Sequence, residues 1–212
     1  MSHDDFGGEP VRGLPERPPE GERILWQGRP DAWALTRDSL NLLWVLGYFL
    51  ALGLWRFLTL IDQTTLLAAF RAAFPFAILG AVVCALLLTL GVVLARTTVY
   101  TITTRRVAMR IGAALTVTLN LPFTQIRNAD LTTKRDGTGS IALELLPDST
   151  RLSYLVCWPH VRPWVMRRTQ PALRCIPEAD KVSAILADAA EARVNTPTIA
   201  EGAAPGAPVA AE

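Results

Sequence analysis

The sequence predicts a membrane α+β protein: a two-helix transmembrane hairpin followed by a cytoplasmic β-barrel or sandwich of about seven strands with a C-terminal helix. Three observations predict it. Half of the 212 residues are hydrophobic, more than an ordinary soluble domain carries. The excess is concentrated between Leu40 and Ala95, where only Arg56, Asp62 and Arg71 are charged. After Ala95 the pattern turns to short β-branched runs separated by turn residues, and then to one helical period.

Taken in order, residues 1–20 hold five acidic residues, four prolines and three glycines, the composition of a disordered acidic arm. Residues 21–38 form a cytoplasmic pre-membrane segment. Within it, GERILWQGRP places Ile24, Leu25 and Trp26 just before a turn. This reads as a short ordered element packed on the β domain or on lipid headgroups, and Trp26 and Trp33 suit a membrane interface. Residues 39–96 hold the hairpin, with spans at about 40–60 and 74–95. Each matches the roughly 20 apolar residues needed to cross the hydrocarbon core. Arg56 lies near one end of its span and can snorkel to the interface.

Arginines flank the hairpin on both outer sides (Arg29 and Arg37; Arg96, Arg105, Arg106 and Arg110), whereas the connection has only Arg71 beside Asp62. The positive-inside rule therefore puts both termini and the β domain in the cytoplasm. The first 38 residues lack an apolar core after a basic start, so no cleaved signal peptide is expected. Gly47 and Ala51 in the first span, and Ala77, Ala81 and Ala85 in the second, recur every four residues. Such spacing lets helix backbones approach closely. Packing within the hairpin is the simpler reading; docking of a partner's helix, or a homodimer, is the other.

The predicted strands are TTVYTITT (97–104), VAMRI, TVTLNLP, IRNADLTTK, IALELL, RLSYLVC and PALRCI, with Asp136-Gly137 as a hairpin turn. Pro177 with Glu178 and Asp180 suits a helix start, and Val182, Ile185, Leu186 and Ala189 follow at helical spacing. The domain is thus expected over 97–193, and an Ala/Pro tail over 194–212 is expected to be disordered.

Two motifs carry a resemblance. Glu22, Leu25, Trp26, Gly28 and Pro30 in GERILWQGRP, and Tyr100, Ile102, Thr103, Arg105 and Arg106 in YTITTRR, resemble the bacterial membrane-anchored PH-like family of the YdbS type. A further set, MRIGAALTVTLNLPFTQI, GTGSIALEL, WPHVRPW and PALRCIP, resembles the photosynthetic-complex assembly proteins of purple phototrophic bacteria. The resemblance covers about 20–190. It implies a PH-like domain and a non-catalytic factor in the intracytoplasmic membrane. The implied partners are reaction-centre subunits and the core antenna, or their assembly intermediates.

The charge distribution bears on the same question. Residues 96–176 hold twelve basic and four acidic side chains, net +8, while the flanking regions 1–38 and 177–212 are net negative. A basic region tethered to an anionic leaflet attracts it at about 1 kcal/mol per nearby cation, so anionic membrane lipid is an expected partner. Nucleic acid is not, because the charge is tied to the hairpin and no binding motif is present.

Chemistry is sparse. His160 is the sole histidine outside the acidic arm, and only arginines lie near it in sequence. No phosphate-binding glycine loop occurs. Cys157 and His160 have C-x-x-H spacing, but Cys175 would make only a third ligand where structural zinc needs four. No catalytic residue, metal or cofactor is expected. A lesser reading makes the domain a lipid or bacteriochlorophyll module, with His160 as axial ligand. The candidate partner or membrane surface is Trp26, Arg105, Arg106, Arg110, Trp158, His160, Arg162, Trp164, Arg167 and Arg168.

Overall fold

The computed structural model of the chain describes residues 11–112, 116–148 and 151–194. The start of the acidic arm and nearly all of the Ala/Pro tail lie outside them. Among the described residues, seven strands form two antiparallel sheets, ordered β1-β2-β3-β4 and β5-β6-β7. The first holds β1 (Ile24–Gly28), β2 (Val99–Thr103), β3 (Arg106–Ile111) and β4 (Val117–Pro122). The second holds β5 (Ile126–Thr133), β6 (Thr138–Leu145) and β7 (Ala172–Pro177). Tyr100, Ile102, Val107, Met109 and Leu121 of one sheet meet Ile141, Leu143, Leu173 and Ile176 of the other in a single core. The helix α5 (Ala179–Val194) adds Ala179, Val182, Leu186 and Ala189 to it.

The strand count matches expectation, but its membership does not. ILWQG, expected only as an ordered element, is β1 and pairs with β2 in the register Gly28↔Tyr100 to Ile24↔Thr103. The helical hairpin is therefore an insertion between two paired strands, and the β domain starts before it rather than at residue 97. Conversely, RLSYLVC is not a strand. It holds the short helix α4 (Tyr154–Cys157), with Cys157 buried and Leu155 and Val156 both exposed. A strand would have sent two neighbouring side chains to opposite faces.

Part of the arm is ordered as well. Val11 and Leu14 bridge, Leu14 is buried, and the Gln27 side chain bonds both the Arg12 carbonyl (2.7 Å) and Thr101 (2.9 Å). Gly13, at φ +79, lies against Val99, so this turn covers the outer face of β2. With Tyr100 and Ile102 in the core on its other face, all five β2 residues are buried.

Between β1 and β2 run α1 (Ala32–Ser39), α2 (Leu42–Ile61) and α3 (Leu66–Thr97). Asp31 caps α1 by accepting from the Ala34 N–H at 2.7 Å. Two of the helices, α2 and α3, are long and apolar enough to cross a membrane. The second is 32 residues rather than about 22, and Pro75 lies inside it. Their seam is built on Phe49 against Gly80 and on Gly53 against Phe76. The expected packing residues Gly47, Ala51, Ala77, Ala81 and Ala85 all face outward, and nothing lies within 4 Å of the Cβ position at Gly47. Packing within the hairpin is therefore corrected as their role. Beyond the start of α2, the last turns of α3 pack on α1, with Gly91 meeting Thr36. Ala34, Leu35, Leu94, Ala95 and Cys175 then join the helices to the β domain in a second small core.

Candidate interaction surface and the buried His160 cluster

The segment WPHVRPW is a strand-like return rather than a free loop. The backbones of His160 and Arg162 bond Ala172 and Gln170 (2.9 Å each), and Val161 bridges Pro171. These pairings make residues 163–169 the tip of a hairpin-like loop. The Trp158–Pro159 peptide is cis.

His160 points inward and is 1% exposed. Its Nδ1 lies 2.6 Å from the Tyr100 hydroxyl, and its Nε2 lies 3.1 Å from the Thr98 hydroxyl. The Arg174 backbone N–H donates to the Tyr100 oxygen at 3.2 Å. Tyr100 has one proton to give, and the short 2.6 Å contact suits its phenol O–H, a stronger donor than the Thr98 hydroxyl, giving that proton to Nδ1. The imidazole then carries its proton on Nε2 and donates to Thr98. Burial, with a smaller contribution from the Arg174 charge, pushes His160 down from 6.5 to about 3. It is neutral, and both nitrogens are engaged. The expectation that His160 faces a partner, and the lesser one that it ligates a bacteriochlorophyll, are both corrected: the sequence shows an aromatic-rich loop but not which side chain turns inward.

Cys157 and Cys175 are buried, and burial raises both thiols above their ordinary range. Among the described residues, no group of three His, Cys, Asp or Glu side chains is placed to hold a metal ion.

The rest of the segment faces out. Trp164 is 88% exposed, and Trp158, Met166, Arg167 and Arg168 are exposed with it. Trp164 also has φ 66, a left-handed conformation that a bulky side chain rarely adopts. Arg162 is exposed too, and donates to Asp130 at 2.6 Å.

The other expected residues divide. Arg110 is buried, and Trp26 packs on the core. Arg106 pairs with Glu22 at 2.8 Å, where the carboxylate is buried, so its role is internal. Arg105 is exposed in the β2–β3 turn. That turn lies at the opposite end of β2 from the His160 contact, about 16 Å away at 3.3 Å per residue. The structure thus brings Trp158, Arg162, Trp164, Arg167 and Arg168 onto one segment and leaves Arg105, Arg106, Arg110 and Trp26 elsewhere.

Beside this loop lies a groove of about 580 Å³ between the α1–α2 junction and the β5-β6-β7 sheet. Leu43 and Trp44 of α2 are its large apolar lining, with Arg37 and Asp38 beside them at the end of α1, and Asp130, Lys134, Arg162 and Arg174 come from the side of the sheet and the WPHVRPW return. A latch crosses it: Arg37 bonds Asp38 (3.1 Å) and Asp136 (2.7 Å), and Lys134 pairs with Asp38. Burial pushes Asp38 up, but its Arg37 and Lys134 partners outweigh this and hold it below the usual carboxylate range. Asp136 is held low by Thr138 first and Arg37 second. Sequence reading missed Leu43, Trp44, Lys134 and Arg174. The available signal was Arg174 itself, a charge amid the apolar strand ALRCIP.

Comparison with known proteins adds three findings. The family described as "Bacterial PH domain" matches residues 42–190. A Rhodobacter capsulatus protein described as "Uncharacterized 23.7 kDa protein in puhA 5'region" is 47% identical over 212 residues, covering 99% of each chain. No solved structure matches.

Proposed function

This chain belongs to the bacterial PH domain family, and from that premise we propose that it is a membrane-anchored, non-catalytic assembly factor of the PuhB type. It would support assembly of the photosynthetic reaction centre and core light-harvesting complex through protein contacts. The observation that carries this reading is the near full-length similarity to a protein named for the region 5′ of puhA, together with the resemblance of MRIGAALTVTLNLPFTQI, GTGSIALEL, WPHVRPW and PALRCIP to the photosynthetic-complex assembly proteins. The helices α2 and α3 anchor the chain in the intracytoplasmic membrane. Their apolar surfaces support this: large side chains such as Trp44, Leu50, Trp55, Phe70 and Leu86 are more than half exposed, which water would penalise at roughly 25 cal/mol per Å². Both termini and the β domain lie in the cytoplasm, as the flanking arginines imply.

The partner surface is the exposed loop of Trp164, Met166, Arg167 and Arg168 with Trp158. Aromatic, Met and Arg side chains are those enriched where proteins meet. The outward small-residue faces of Gly47–Ala51 and Ala77–Ala85 offer a second contact, to a partner's helix or a second copy. The test is affinity purification of the tagged chain from mild detergent after crosslinking in a phototrophic host. Reaction-centre or core-antenna subunits are expected to co-purify above an untagged control. Their absence, with the chain at normal abundance, overturns the reading.

A further inference from the structure

We propose that the groove between α2 and the β5-β6-β7 sheet is a binding site for one anionic phospholipid, with its phosphate against Arg174. The proposal rests on the membrane-anchored reading above. The Arg174 side chain sits in a residue only 8% exposed. Its Nη1 donates to the Val161 carbonyl (3.0 Å) and its Nη2 to Ser39 (2.9 Å), both neutral acceptors, and its buried Nε has no partner. Among the described residues, no carboxylate lies within ion-pair distance of it. The neighbouring acids are already matched: Asp130 by Arg162, and Asp38 by Arg37 and Lys134. A buried cation without a counter-ion is costly, and an anion in the groove would relieve that cost.

The walls decide which anion. Leu43 and Trp44 of α2 line the same groove as the sheet's Lys134 and Arg174, and α2 carries exposed apolar side chains onward through Leu50 and Leu54. A phosphodiester with acyl chains satisfies both walls: its oxygens accept from Arg174, with Lys134 and Arg162 at the rim, and its chains follow α2. Free phosphate would satisfy only one. A lipid held there would tie the hairpin to the β domain at the point where α1 latches on.

The experiment is native mass spectrometry of the full chain in detergent, offered equal phosphatidylglycerol and phosphatidylcholine. One phosphatidylglycerol is expected to be retained in preference. Arg174→Gln is expected to weaken its retention about 10-fold or more, the size of one lost charge-assisted contact. Should that variant fail to fold, the double variant Lys134→Gln/Arg162→Gln at the exposed rim is expected to weaken retention several-fold. Equal retention of the two lipids, or variants that retain phosphatidylglycerol like the parent, overturns the proposal. So does displacement of the lipid by millimolar inorganic phosphate, which would mark a free-phosphate site. Flotation of the full chain with phosphatidylcholine vesicles is read in parallel; its failure sinks the membrane reading itself, independently of lipid preference.

Discussion

Lowering the pH from 6.5 to 5.0 should destabilise the β domain through one side chain. Folded His160 is pushed down to about 3, against an ordinary 6.5. Below pH 6.5 the unfolded chain therefore takes up a proton that the folded chain refuses, so stability falls as pH falls, down to about pH 3. Each pH unit in that window costs about 1.4 kcal/mol, giving about 2 kcal/mol at pH 5.0. The depressed carboxylates Asp38 and Asp136 act in the same direction, but their stabilisation is lost only as pH falls through and below 3.8. The window above pH 5 thus isolates the imidazole. The assay is urea unfolding of the full chain in mild detergent, followed by tryptophan fluorescence at both pH values. His160→Asn keeps an acceptor for Tyr100 and gives up the Thr98 contact, at about 1 kcal/mol at pH 7; it should show almost no loss between the two pH values. If it loses as much as the parent, His160 is not the titrating group and the buried network is wrong.

Other perturbations follow from the packing. Gly80→Leu should separate α2 from α3, because even a Cβ there sits 2.7 Å from Phe49 Cβ; Gly47→Leu should leave the hairpin intact, and cysteine crosslinking between the helices distinguishes them. Arg106→Ala should cost about 2–3 kcal/mol in urea unfolding by stranding the buried Glu22 carboxylate. Replacing Trp164 with alanine should leave that unfolding within about 0.5 kcal/mol, since it is 88% exposed, while reducing co-purification of photosynthetic subunits. His160→Asn should do the reverse.

The helices were legible because an apolar run of that length has few other uses in a chain with so modest a soluble core. The outer ends of α3 were not: its last turns leave the hairpin seam to pack on α1, a tertiary contact with no periodic signature. The β strands from Val99 to Leu145 announced themselves by β-branched runs and the Asp136-Gly137 turn. Strand β1 did not, because its four paired residues meet a partner some seventy positions away and only that pairing makes them a strand. RLSYLVC misled because its residues favour strands while its burial follows a single helical turn. At the site, exposed Trp164 and Arg168 were legible as surface, whereas His160 and Arg174 owe their roles to Tyr100, Thr98 and Ser39, which the fold brings from far along the chain.

The most direct measurement of the central claim is site-specific photocrosslinking in a phototrophic host, with a photoreactive amino acid replacing Trp164 in the full chain. The account predicts a discrete adduct containing a reaction-centre or core-antenna subunit, absent when the probe replaces the buried Leu186. Labelling of lipid alone, or no adduct from a chain present at normal abundance, would contradict it.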